Sequence, residues 1–209
     1  MENILVAGAN GTTGKKIVDL LQQSQYFNPI AMVRKESQME QFKAKNIEVL
    51  LGDLEQDISN STQNIDKVIF AAGSGGKKVV EVDQEGAKKL VDASKANNIK
   101  KFVMLSSMGA DQPEKAEKLK DYLQAKHNAD VYLKNSGLNF AIVRPGSLTD
   151  NKGIGKIVLS EHLSQEGNIS RDDVAQTLVR ALNDDVANYK TFEILEGETL
   201  IGQALDTVG

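Results

Sequence analysis

Three groups of residues have types and spacings that could do chemistry. The first is Gly8-Ala9-Asn10-Gly11-Thr12-Thr13-Gly14, with glycine at every third position. It follows the apolar run Ile4–Ala7 and precedes Ile17, Val18 and Leu21, apolar positions at helical spacing. Glycines in a strand-to-helix turn let backbone N–H groups approach an anion where a Cβ would collide with it. The helix N-terminus adds partial positive charge at the same place. The pattern predicts a pyrophosphate seat opening a βαβ unit; a glycine-rich turn that binds nothing is the plainer account. The second group is Tyr122-x-x-x-Lys126, whose spacing puts phenol and ammonium on one helical face. An ammonium there favours the phenolate and suits the tyrosine to proton transfer, although a surface tyrosine packed on a lysine stem has the same spacing. The third is Ser106-Ser107, two hydroxyls at the carboxyl end of the apolar run Phe102–Leu105. Open parallel sheets hold ligands at such ends, and serines also cap turns there.

Other residues gather around these. Arg34 follows the second apolar run, where an acidic residue would bind a ribose 2′-hydroxyl. A guanidinium suits a 2′-phosphate instead, so Arg34 predicts NADP(H) in preference to NAD(H). The alternative is that Arg34 and Lys35 are solvated cations at a strand end. Asp53, in Gly52-Asp53-Leu54, could accept a hydrogen bond from an adenine amino group or cap its own backbone turn. Ala71-Ala72-Gly73 is small enough for a flat ligand to lie against. The following Ser74-Gly75-Gly76-Lys77-Lys78 reads as a mobile loop over it or as a plain connection.

The positioning elements follow from the apolar pattern. Strand-like runs at Ile4–Ala7, Ile30–Val33, Ile47–Leu51, Val68–Ala72, Phe102–Leu105 and Phe140–Val143 alternate with helical patterns at about 13–24, 37–45, 83–97, 114–136 and 171–183. Several runs are nearly continuous in apolar residues, as strands covered on both faces are. This predicts an α/β fold, a doubly wound parallel sheet with helices on both faces. One domain spans residues 1–209, with 149–209 expected to add a small substrate-side cap. A net charge of −4 without a long basic run argues against nucleic acid as a main partner. The absence of cysteine excludes disulfides and thiolate chemistry, and His127 and His162 are isolated, so no metal site is expected. No apolar run approaches membrane-spanning length and no signal-like segment opens the chain, so a cytoplasmic protein is expected.

Together these residues resemble the short-chain dehydrogenase/reductase superfamily, and within it the atypical branch of compact, epimerase-like NAD(P)-binding proteins. The resemblance covers nearly the whole chain. It also rests on Leu105-Ser106-Ser107, on Ser136–Gly146 with its Arg144-Pro145-Gly146, and on Ile169-Ser170-Arg171-Asp172-Asp173-Val174-Ala175. It implies a Rossmann-like fold and a role for each position. Gly8, Asn10, Gly11, Thr12, Thr13 and Gly14 would hold the pyrophosphate, and Arg34 the 2′-phosphate. Asp53 and Leu54 would flank adenine, and Ala71, Ala72 and Gly73 would line the adenosine ribose. Pro145, Gly146, Ser147 and Leu148 would abut the nicotinamide. Tyr122 would carry the proton, Lys126 would bind the nicotinamide ribose, and Ser107 rather than Ser106 would bond the substrate oxygen. Asp83 stands where the family's full catalytic set has asparagine; it would hold a water or cap the helix beginning there. The implied activity is NADP(H)-dependent oxidoreduction of a small carbonyl or alcohol. The alternatives are an NADP(H)-sensing regulator with a protein partner, a flavin or biliverdin reductase-like enzyme, and an epimerase/dehydratase-like enzyme.

Overall fold

The computed structural model describes residues 1–208. In β1 (Glu2–Ala7), residues Ile4 to Ala7 are all shut off from solvent. Ile4 and Val6 point into one apolar layer, Leu5 and Ala7 into the other. A strand between two layers has no use for alternation, which is why its sequence is apolar throughout. β2 (Phe27–Val33), the short edge strand β3 (Glu48–Leu51), β4 (Lys67–Phe70), β5 (Lys101–Leu105) and β6 (Phe140–Pro145) follow. Pro29 is tolerated within β2 because pairing to β3 starts only at Ile30.

The remaining strands are β7 (Ser147–Thr149), β8 (Lys156–Ser160), β9 (Asn168–Ser170), β10 (Lys190–Glu196) and β11 (Thr199–Leu200). The main sheet runs β11-β8-β10-β6-β5-β4-β1-β2-β3. It is parallel from β10 to β3, and β8 runs antiparallel to both β10 and β11. On one face lie α1 (Thr12–Gln22), the single turn α2 (Glu40–Lys43), α5 (Arg171–Arg180) and α6 (Ile201–Asp206); on the other lie α3 (Ala87–Ala96) and α4 (Lys120–Lys134). The expected doubly wound, Rossmann-like sheet is the architecture observed. Strand order turns outward in both directions from β1 and β4, whose ends Ala7 and Phe70 lie side by side. Such a switch point opens a crevice at the carboxyl ends.

Three local expectations are corrected. The 37–45 pattern is a short 3-10 turn, Glu36–Gln38, followed by α2. The helix expected to open at Asp83 begins earlier, as a wide π-type segment Val79–Gly86, so Asp83 is an interior residue and not an N-cap. The 114–136 helix begins only at Lys120, after Leu119 adopts a left-handed backbone with φ of 59°. In residues 149–208, β10 and β8 extend the sheet, and α5 packs against α1. What stands over the carboxyl edge is the two-stranded ribbon of β7 and β9. Among the described residues no helix is long and apolar enough to cross a membrane.

Backbone proximity at the first turn generates a test. A Cβ on Gly14 would lie 2.1 Å from the Gly8 carbonyl oxygen, whereas one on Gly202, in α6, meets nothing within 4 Å. Gly14→Ala is therefore expected to destabilise by about 2 kcal/mol or more in urea denaturation. Gly202→Ala is expected to be neutral or stabilising by up to about 1 kcal/mol.

Candidate functional site

The crevice is a cleft of about 930 Å³. Its floor is the first turn. Gly8 has φ of +87°, and a Cβ there would sit 2.6 Å from the Cα and N of Ala72. Only glycine lets the β1 turn lie directly on the end of the β4 segment. Gly11 caps α1 with no side-chain bond, no acidic residue occupies the first turn, and Thr12 and Thr13 line the cleft. The helix thus presents unpaired N–H groups and its positive end to the cavity. Gly14 lies behind this wall and serves the close packing of α1 on β1. Asn10 lines the cleft while its Oδ1 accepts from Gln41 Nε2 at 2.7 Å.

At one end, Arg34 projects from β2 with about half its side chain exposed. Asp53 lines the wall and caps its own turn, Oδ1 accepting from the Glu55 N–H at 3.0 Å. Leu54, Ala71, Ala72 and Gly73 complete this side. Gly86 lets the π-type segment close on Leu54, since a Cβ there would be 2.8 Å from that side chain.

At the other end, Tyr122 and Lys126 share one face of α4, with the ammonium 5.6 Å from the phenol ring centroid. Lys126 is buried, its Nζ 3.5 Å from Asp83 Oδ1 and 3.3 Å from the Leu105 carbonyl. Asp83 is 1% exposed, and its second oxygen accepts from the Ser74 N–H at 3.0 Å. One carboxylate therefore fixes both the lysine and the start of the glycine loop. Ser106, not Ser107, is on the cleft wall. Ser106 Oγ donates to Asp130 Oδ2 at 2.9 Å, whereas Ser107 Oγ donates to the carbonyl of Met108 at 3.2 Å. Ser107 is the hydroxyl expected at the cleft; the one on its wall is Ser106, the first residue after β5. Pro145, Gly146 and Ser147 are also held elsewhere. Gly146 packs against Leu195 and Gly167, and Ser147 pairs with Gly167; of this group only Leu148 lines the cavity.

Asp130 was not anticipated. It is buried, and Arg144 bonds its Oδ2 through Nε at 3.0 Å and Nη2 at 2.9 Å. Burial pushes its carboxyl up, against the opposing pull of Arg144, Ser106 and Lys126. The available signal was spacing, for Asp130 follows Lys126 by four residues on the same stripe of α4. Gln38, Val82 and Leu119 also line the cleft without a motif to mark them, and Arg171 does so from the start of α5.

Fold and site together define a dinucleotide-binding Rossmann protein. An NAD(P)H-binding family model matches residues 8–185. The chain is 39% identical over 210 residues to the sugar epimerase YhfK of Bacillus subtilis, itself uncharacterised, covering 97% of this chain and 98% of that one. A solved structure from Bacillus halodurans, named for an NAD-dependent epimerase/dehydratase, superposes with a TM-score of 0.94 at 34% identity over 99% of this chain and 100% of that one. The oxidoreductase ylbE of Lactococcus lactis gives 0.89 at 31% identity, over 99% and 96%. The chain belongs to the NAD(P)H-binding family, among proteins of the atypical short-chain dehydrogenase/reductase kind.

The Asp83–Lys126 pair makes a prediction about stability. Removing one partner leaves the other charge buried alone, so Asp83→Asn and Lys126→Met are each expected to cost about 3 kcal/mol. The double variant should cost clearly less than their sum in a urea-denaturation cycle. Strict additivity would show that the two charges do not interact.

Proposed function

We propose that the protein is an NADP(H)-dependent oxidoreductase acting on a small carbonyl or alcohol. The observation that carries this is the common wall: Tyr122, Lys126 and Ser106 line the same cleft as the glycine turn and Arg34. The residues fit a dinucleotide. The Gly8 cradle is one a Cβ would fill, and the α1 N-terminus is free for a pyrophosphate. Arg34 suits a 2′-phosphate, and the wall of Leu54, Ala71 and Ala72 suits an adenosine.

When bound, the nicotinamide supplies or accepts a hydride. Every other part of the reaction falls to side chains of the cleft. In the reducing direction the Tyr122 hydroxyl donates a proton to the substrate oxygen as the carbon gains the hydride; in the oxidising direction the phenolate takes it back. Lys126, beside the phenol ring, stabilises the phenolate and holds the ribose end of the coenzyme. Asp83 keeps Lys126 in place. Asp130 holds the Ser106 hydroxyl at the wall; when that proton turns from Asp130 to the substrate oxygen, Ser106 orients it, in the role expected of Ser107. Leu148 borders the reacting end. A cleft of about 930 Å³ that also holds a dinucleotide leaves room only for a small substrate, which disfavours a large nucleotide sugar despite the names of some relatives.

A second reading, an NADP(H)-sensing regulator without turnover, draws on the same Asp83–Lys126 pair, which engages the lysine ammonium with a buried carboxylate. A panel of small aldehydes and ketones, followed by loss of NADPH absorbance, separates the two. With an active substrate, Tyr122→Phe is expected to lower kcat at least about 100-fold while NADPH affinity stays within about twofold. Ser106→Ala should lower kcat about tenfold or more, and Ser107→Ala should stay near wild type. Wild-type turnover by Tyr122→Phe would overturn the mechanism. Binding of NADPH with no oxidation by any compound would pass the case to the regulator.

A further inference from the structure

At the adenosine end of the cleft two cations from different elements converge on one carboxylate. Arg34 comes from the end of β2, and Lys78 from the far end of the glycine loop. Between them lies Glu55, on the turn that Asp53 caps. Glu55 accepts from Lys78 Nζ through both oxygens, at 2.9 and 2.6 Å, and its Oε1 lies 3.8 Å from Arg34 Nη1. Arg34 and Lys78 are each about half exposed, whereas Glu55 is only 22% exposed. We propose that Glu55 is a built-in counter-anion at the 2′-phosphate position and sets how strongly the cleft prefers NADPH over NADH. The proposal rests on the reading of this cleft as an NADP(H) site.

The physical reasoning is a competition for the same cations. A ribose 2′-phosphate brings up to two negative charges to Arg34. It must share Arg34 and Lys78 with a carboxylate already seated between them. If Glu55 stays, it is a like charge a few ångströms from the phosphate; if it swings out, its bonds to Lys78 are lost. Either cost falls on NADPH alone. The 2′-hydroxyl of NADH can instead donate to Glu55, as ribose hydroxyls do to the acidic residue of NAD-binding units. That acid usually ends the second strand; here it comes from the turn after β3. The loop gives the arrangement freedom. Gly75 and Gly76 have φ of +63° and +82°, and a Cβ on either would meet nothing within 4 Å. The loop is held near its start by the Ser74–Asp83 bond and at its far end by Lys78–Glu55.

The test is fluorescence titration of the full-length protein with NADPH and with NADH. Glu55→Gln keeps the shape and removes the charge. It is expected to tighten NADPH about fivefold, with NADH unchanged or about twofold weaker, and the gain should shrink as salt is raised. Lys78→Gln should weaken NADPH more than NADH. The proposal is overturned if Glu55→Gln leaves NADPH affinity unchanged or lowers it, or if it tightens both coenzymes equally. Arg34→Ala tests the underlying reading separately. If that variant leaves the NADPH-to-NADH ratio at its wild-type value, the phosphate does not sit at Arg34 and the NADP(H) reading itself fails. If Arg34→Ala removes the preference but Glu55→Gln moves nothing, only the role of Glu55 is lost. Matching thermal unfolding curves show that the variants are folded.

Discussion

The geometry of this protein hangs on the absence of side chains at Gly8 and Gly14. Gly8 sits so close to Ala72, and Gly14 so close to the Gly8 carbonyl, that neither tolerates even a methyl group in place. That proximity sets α1 against β1 with its N-terminus aimed between the ends of β1 and β4. A parallel sheet that reverses its winding there leaves a crevice in any case. The glycines decide that its floor is backbone N–H groups and not side chains. A cleft so floored attracts phosphate before any cationic side chain is counted.

Charge then organises the two ends differently. At one end Arg34, Lys78 and Glu55 are partly exposed and screened by solvent, so each of their contacts contributes little. At the other end the charges are buried. Asp83 holds Lys126, and Asp130 holds both Ser106 and Arg144. Ions removed from water in this way are costly unless paired, so each constrains its partner's position closely. Asp83 also bonds the Ser74 backbone, which ties the loop over one half of the cleft to the lysine in the other. The chain carries a net charge of −4, yet it concentrates cations where a dinucleotide's phosphates would lie. Overall acidity is no obstacle to a local anion site.

Much of this was legible in the sequence, because the signals were dense and local. Continuous apolar runs marked strands covered on both faces. The glycine spacing marked the turn, and Tyr122 and Lys126 marked a helical face. The unread parts were set by tertiary context. Nothing local distinguishes Ser106 from Ser107; a buried acid on α4 does. The π-type start of the helix around Asp83 has no propensity signature, and it turned a supposed cap into an interior carboxylate that grips Lys126. Leu119 enters α4 through a left-handed backbone that its side chain does not favour. The segment around Phe192–Leu195 reads in sequence as part of a small cap, and charged Glu193 stands in the middle of it. In the structure that residue is buried, with Oε2 accepting from the Leu163 N–H, and the strand pairs in parallel with β6.

The central claim is that the first turn seats the pyrophosphate of a nicotinamide dinucleotide. Titrating the purified protein with NADPH, following the coenzyme's own fluorescence, tests it most directly. Saturable binding that NADP displaces, and that Gly11→Val weakens in a protein still folded by circular dichroism, is the result the account predicts. No saturable binding of either nicotinamide coenzyme up to millimolar concentration, or full binding by the folded Gly11→Val protein, would contradict it.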